Sequence, residues 1–452
     1  MKSLPIGQQS IEKIIRYDYT YVDKTGILYD LIKKPGYYFF SRPRRFGKSL
    51  TCSTLEAIFQ GKKELFDGLA ISKTEYDWKK YPVIRFDFSG IDHETPTELR
   101  VAIIEELKNI AKKNGLKIET KLPKAAFKQL VSGLAEKFGP VAVIIDEYDK
   151  PILDHIHDSE MALKMRTALK DFYGVLKDSE VDANLRFLFM TGVSKFSKVS
   201  IFSELNNLQD LTLDERVAKL CGYTQEELES VFDRHIEALS NYINKTKKET
   251  LSQLKLWYNG FQFSKIGAKV YNPFSILNCL EKKDFSNFWF SSGTPTFIMK
   301  LIEKNPEKVQ DIIMLESKSI SATQMDKLAV ESYFQDMVLL FLQAGYLTIS
   351  GYNENERLFS LSYPNFEVRL SMTEQILELV ANIGAPKISS MEYRFRKALQ
   401  EDDIETFCKT MKDFFVLLPH TVIINLEKYY HGIFFTITKL VGAKINSEEA
   451  TN

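Results

Sequence analysis

With 452 residues the chain is too long for one compact core of ordinary size, so about two or three domains are expected. Hydrophobic residues make up 44 %, enough for complete folding, and 60 Lys and Arg balance 60 Asp and Glu, which excludes a global field drawing the protein to nucleic acid or an anionic membrane. Cys52, Cys221, Cys279 and Cys408 lack CxxC spacing, which argues against a disulfide framework or zinc site and fits a reduced, cytoplasmic compartment. The amino terminus, MKSLPIGQQSIEKIIRYDY, has no apolar core of the signal-peptide kind, and no apolar run approaches the roughly 18 residues of a membrane span.

In the first half, short runs rich in β-branched and aromatic residues predict strands over 37–40 (YYFF), 83–88 (VIRFDF), 141–145 (VAVII) and 185–190 (LRFLFM). Helical patterns over 49–59, 96–113 and 124–138 lie between them. Strands alternating with helices predict an α/β fold, a parallel sheet with helices on both faces, whose ligands bind at the carboxyl ends of the strands. From Thr212 the pattern shifts to longer amphipathic stretches over 224–238 and 246–257, which predict a helical second region. Residues 325–343 read as a long helix stopped near Gly345, followed by a strand at 346–350, the polar turn GYNENER and a strand at 358–363, a helix and hairpin of winged-helix type. The stretch 371–452 is again mostly helical by pattern.

The run SRPRRFGKSL at 41–50 follows the first strand and precedes a helix, the context a phosphate-binding loop (Walker A, GxxxxGK[ST]) requires. Gly47, Lys48 and Ser49 fill the second half of that pattern, and Arg42 stands where its first glycine is expected. Amides at such a helix start point at an anion, Lys48 would reach the β- and γ-phosphates, and the Ser49 hydroxyl would hold Mg²⁺. About a hundred residues later VAVII ends in Asp146 and Glu147, a second motif (Walker B) that assigns Asp146 to the metal and Glu147 to the general-base role. LRFLFM ends in TGVSKFS, which places Thr191 and Ser194 at the same sheet edge, where a hydroxyl would orient the water or sense the γ-phosphate. Alone, RPRR reads equally as a solvated basic loop, and VIIDE as a core strand ending at a polar turn. Their joint occurrence in chain order favours a nucleotide site.

Together with VIIDEYDKP (143–151), TGVSKFSKVSIFSELNNL (191–208), WYNGF (257–261), VYNPFS (270–275), YPNFEVR (363–369) and YVDKT (21–25), these residues resemble, over essentially the whole chain, the bacterial AAA-ATPase-like proteins that carry a carboxy-terminal PD-(D/E)XK nuclease-like domain. The resemblance implies a P-loop NTPase domain over 1–211, of the additional-strand, catalytic-glutamate division. It implies a helical and winged-helix-like region over 212–370 and the start of a nuclease-like domain over 371–452. Beyond Glu427 and the Glu448–Glu449 pair no strand carrying D or E-x-K follows, so the chain is expected to stop where the nuclease core begins, the alternative being a natural terminus with an ordinary helical cap, and no nuclease activity is expected of these residues alone.

The implied cofactors are ATP and Mg²⁺, with Ser49 and Asp146 on the metal, Glu147 and Thr191 in catalysis, and Arg42, Pro43, Arg44, Arg45, Phe46, Gly47, Lys48, Ser49 and Leu50 around the phosphates. In this family RPRRF stands where other ATPases have glycines, and one of Arg42, Arg44 and Arg45 is a candidate built-in arginine finger. The implied function is an ATP-hydrolysing switch, with a non-hydrolysing, nucleotide-gated interaction module as the alternative. Nucleic acid is the expected partner of the nuclease-like region, no membrane partner is expected, and no feature of the sequence specifies an oligomeric state. Tyr17, Tyr19 and Tyr21 either wrap the nucleotide base or pack the first helix on the sheet. WYNGF and YNPFS read as turn and packing elements, with Asn259 or Asn272 as candidates to face the cleft.

Overall fold

The computed structural model describes residues 1–195, 207–293, 319–326, 337–381 and 385–416, with 434, 437 and 438. Residues 196–206 of the TGVSKFSKVSIFSELNNL motif, 327–336 of the expected long helix, Glu427, Glu448 and Glu449 lie outside the described residues.

Five strands form an all-parallel sheet: β1 (Gly36–Ser41), β2 (Val83–Asp87), β3 (Val141–Asp146), β4 (Leu185–Gly192) and β5 (Leu208–Asp210), in the order β2-β3-β4-β1-β5. The expected strands form with their ends shifted by a residue or two, and β5 is an addition, too short at LQD to carry a periodic signal. β3 is buried at every position, with the helices Lys48–Phe59 and Pro123–Phe138 packed against it, which explains its continuous apolar run. One strand, β4, separates the strand that feeds the phosphate loop from the strand that ends at Asp146. The register sets Ser41 beside Gly192 and Asp87 beside Asp146, so these strands release their chains at one edge.

Local chemistry explains the helices that match expectation. Pro96–Lys113 begins with a capping box between Thr95 and Glu98 and a proline in its first turn, and it ends at Asn114 before Gly115, which takes the left-handed conformation at φ 68°. The helix expected over 224–238 is instead two helices, Gln225–Val231 and Asp233–Tyr242. The chain breaks at Phe232, whose ring is buried against Tyr223 and His235 with centroids 5.2 and 6.0 Å away. Burial of that one ring outweighs the preference for a continuous helix.

A second buried cluster joins Leu4 and Val22 to Leu228, Phe232, Ile236, Leu254 and Ile276, so the first residues of the chain pack among the helices of the second region. Lys24 pairs with Glu227 at 2.6 Å across the same junction. The expected hairpin forms as β7 (Thr348–Asn353) and β8 (Leu358–Ser362), with β6 (Ser319–Ser321) antiparallel on the other side of β8. The helix Met337–Ala344 stops at Gly345, φ 91°. Helices Phe366–Ala381, Ala385–Gln400 and Ile404–Val416 follow. Among the described residues no helix is long and apolar enough to cross a membrane, and all four cysteines are free thiols.

Candidate active site

The loop between β1 and the helix Lys48–Phe59 shows why arginine is tolerated at position 42. Its left-handed residues are Arg45, φ 66°, and Gly47, φ 98°, so no glycine is required at Arg42. An arginine in that region costs about 1–2 kcal/mol, which the packing around the loop must offset. Gly47 caps the helix amino terminus, and Lys48, only 5 % exposed, turns back so that its Nζ donates to the carbonyls of Arg42 and Pro43 at 3.0 Å each. Those two carbonyls hold the ammonium where phosphate oxygens would replace them.

Asp146, at the end of β3, is fully buried, near the Ser49 hydroxyl and Lys48, both of which favour its charged form. Its Oδ1 accepts from the Glu147 amide at 3.1 Å, while its Oδ2 is buried with no partner. Burial pushes its pKa up to about 6; the Ser49 hydroxyl and Lys48 oppose that rise, and Asp87 and Glu147 reinforce it. Glu147 itself sits in the left-handed region, φ 51°, a strained backbone of the kind that clusters at working sites. Among the described residues no three His, Cys, Asp or Glu side chains converge into an all-protein metal cage. A half-buried hydroxyl on the cleft wall near a buried carboxylate with one free oxygen does fit Mg²⁺, which takes few protein ligands and keeps waters and substrate phosphates in its shell.

In front of this pair lies a cleft of about 380 Å³. Of the residues expected there, Arg44, Arg45, Gly47, Lys48, Ser49, Leu50 and Glu147 line it, with Asp146 behind Ser49. Arg42, Pro43 and Phe46 do not. The Arg42 guanidinium is buried, donating from Nη1 to the carbonyls of Ser41 and Thr212 at 2.7 and 2.8 Å and from Nη2 to that of Val217 at 3.3 Å. It lies 4.3 Å from the Phe40 ring and 4.4 Å from the Phe263 ring, and burial brings its pKa down to about 10. Arg42 is therefore a brace between the loop and the segment after β5. Pro43 lines a small cavity beside it, and Phe46 packs edge-on against Phe261 and Phe263. Thr191 is also absent from the cleft wall: its hydroxyl is buried without a partner, and its carbonyl accepts from the Tyr148 amide at 3.0 Å.

The opposite wall of the cleft comes from residues the sequence reading did not select: Gly7, Gln8 and Gln9 of the amino-terminal segment, then Tyr223, Pro273, Phe274 and Leu277. Tyr17, Tyr19 and Tyr21 do not line it. The signal that pointed here was YNPFS, read as packing. Asn272 caps the helix Pro273–Lys282 through the Ser275 amide, and the next two residues form the wall.

Three side chains brace the site from a distance. Buried Asp149 accepts from the amides of Val193 and Ser194 at 3.0 and 2.6 Å and from the Ser194 hydroxyl at 2.5 Å, which docks the Glu147 turn on the exit of β4. Trp289 donates from its indole to the Arg44 carbonyl at 2.9 Å, and its own amide donates to buried Glu367 at 2.6 Å. Glu367 also accepts from the Ser275 hydroxyl at 2.7 Å, so one carboxylate joins the cleft-wall helix to the indole that holds the phosphate loop.

Burial pushes Glu367 up to about 7 from an ordinary 4.5, against the lowering effect of the Ser275 hydroxyl and the Trp289 and Phe290 amides. Because the folded value lies above the unfolded one, its stabilisation is present at low pH and is lost as pH rises through that window. Glu367→Gln keeps an acceptor for the Trp289 amide and a partner for the Ser275 hydroxyl. It is expected to flatten this slope and to exceed the wild type in stability above pH 7 by about 2–3 kcal/mol, which thermal melts at about pH 5 and pH 8 check.

A parallel sheet with one strand between the loop strand and the aspartate strand, and a lysine-bearing loop at its carboxyl edge, defines an α/β fold of P-loop type. Residues 5–202 match the family model AAA-ATPase_like, described as predicted AAA-ATPase. The chain is also 35 % identical over 464 residues to a protein of Azotobacter chroococcum mcd 1 described as an uncharacterized protein in the vnfD 5′ region, with 100 % of this chain and 85 % of that protein covered. Residues 5–202 are therefore an AAA-ATPase-like domain, and the chain is homologous to the Azotobacter protein along its whole length.

Proposed function

We propose that the chain binds ATP with Mg²⁺ in this cleft and hydrolyses it, acting as a switch whose state the second region reads. The observation that carries the proposal is Asp146, buried beside the Ser49 hydroxyl and Lys48 at the end of β3, with one oxygen free. In this reading Lys48 exchanges the Arg42 and Pro43 carbonyls for phosphate oxygens, and Ser49 and Asp146 hold Mg²⁺. The bound metal supplies charge neutralisation on the phosphates. Glu147 orients and polarises the attacking water from the cleft wall. Arg44 and Arg45 add positive charge on the cleft side, Arg45 with its guanidinium 4.9 Å from the Phe274 ring, while Tyr223, Phe274 and Leu277 offer an apolar surface for the base.

The switch component rests on the Trp289–Arg44 hydrogen bond and on Gly345, where a Cβ would meet Pro43 at 2.7 Å; both tie the loop to the second region. Action on nucleic acid through a nuclease-like region rests on the resemblance of the motifs in the second half of the chain. The test is Mg²⁺-dependent ATP hydrolysis together with ATP affinity. Lys48→Ala is expected to weaken ATP binding about 10- to 100-fold, the contribution of a charge-assisted contact. Tight binding with wild-type turnover below about one per hour, a barrier near 22 kcal/mol, replaces hydrolysis with a nucleotide-gated interaction module.

A further inference from the structure

The WYNGF and YPNFEVR motifs, about a hundred residues apart, meet on the surface away from the nucleotide cleft. Gly260 lies so close to Pro364 that a Cβ, besides being strained at φ 123°, would overlap the Pro364 carbonyl. Beside this contact opens a pocket of about 320 Å³, lined among others by Lys255, Lys269, Arg369, Asn259 and Asn365. From its chemistry we infer that this pocket is a second ligand site, for a phosphate-bearing anion.

Three cations line the pocket and no carboxylate does. Among the described residues none of the three has an ion-pair partner. Like charges lining one pocket repel one another, and an anion between them removes that repulsion. The Arg369 guanidinium is held 5.6 Å from the Phe366 ring, and that ring is wedged against Trp257 with centroids 4.7 Å apart, so the cation is positioned and not free to disperse.

Asn365 supplies the independent observation. Its Oδ1 accepts from the Val368 amide at 3.1 Å, which settles the orientation of the side-chain amide, and its Nδ2 is then buried with no acceptor. An unpartnered donor on a half-buried pocket residue, just before the 16-residue helix Phe366–Ala381, is a group that an anionic oxygen satisfies. Glu367, two residues after Asn365, is the carboxylate that braces Trp289 and through it the phosphate loop, so the pocket lining is continuous in sequence with that brace.

The test uses the full chain carrying Lys48→Ala, which weakens the phosphate loop, titrated with inorganic pyrophosphate by calorimetry. One remaining binding event is expected, weakened at least about tenfold by adding Lys269→Gln and Arg369→Gln, with the melting temperature unchanged. Lys269→Gln alone, at an exposed position, guards against a folding defect and is expected to weaken binding by a smaller factor. A short single-stranded oligonucleotide with a 5′-phosphate, titrated in parallel, supports a nucleic-acid source of the phosphate if it binds tighter than pyrophosphate, and a small-molecule source if weaker. Binding of neither probe to Lys48→Ala, or affinity undiminished in the pocket variants, overturns the inference. If the loop itself binds no phosphate, Lys48→Ala and wild type titrate alike, and the outcome in the pocket variants still decides.

Discussion

Glu147→Gln retains ATP binding and loses turnover by about 10²–10⁴-fold in the outcome expected here, the usual contribution of a positioned general base. The substitution is isosteric and leaves the Glu147 amide on Asp146 Oδ1, so the left-handed turn and the placement of Asp146 persist. What changes is the capacity to take a proton from water. Single-turnover hydrolysis measured beside equilibrium ATP affinity separates the two effects. Loss of binding together with turnover assigns Glu147 to the nucleotide and removes it from catalysis.

Asp149→Ala tests the architecture behind that residue. Asp149 accepts three hydrogen bonds from Val193 and Ser194 in the buried interior, and deletion leaves two amides and a hydroxyl buried without acceptors. At about 1–3 kcal/mol for each unsatisfied group, partly recovered by relaxation, a loss on the order of 3 kcal/mol is expected. Hydrogen exchange at the Val193 and Ser194 amides reads it locally as about a 100-fold fall in protection. Turnover is expected to fall with it, because the Glu147 turn loses its anchor on β4, while ATP affinity changes little. Unchanged protection would show that water replaces the carboxylate, and Asp149 would then have no positioning role.

The parallel sheet was legible because β1, β3 and β4 are largely buried apolar runs and β2 alternates buried with half-buried residues, and a run such as VAVIID needs no partner to be recognised. Capped helices were legible for the same local reason: Thr95, Pro96 and Glu98 satisfy the first amides of their own helix. The split at Phe232 was not, since its cause is a pocket formed by Tyr223 and His235, contacts invisible to a periodic pattern.

The candidate site divides along the same line. The order of GKS before DE, each at the end of a strand, placed Lys48, Ser49, Asp146 and Glu147 at one sheet edge, because strand direction and register alone bring them there. Arg42 shows the opposite case. Its residue type and position suggested a phosphate ligand, yet the carbonyls of Thr212 and Val217 and the ring of Phe263, all at least 170 residues away, hold its guanidinium in the interior. The second cleft wall of Tyr223, Phe274 and Leu277, the Glu367–Trp289 brace and the Lys255–Lys269–Arg369 pocket are likewise meetings of distant segments. Local sequence determined which backbone turns open toward the sheet edge, because a turn depends on its own few residues. Which side chains face that opening was decided only by tertiary packing, because a charged side chain goes where the folded chain offers it acceptors.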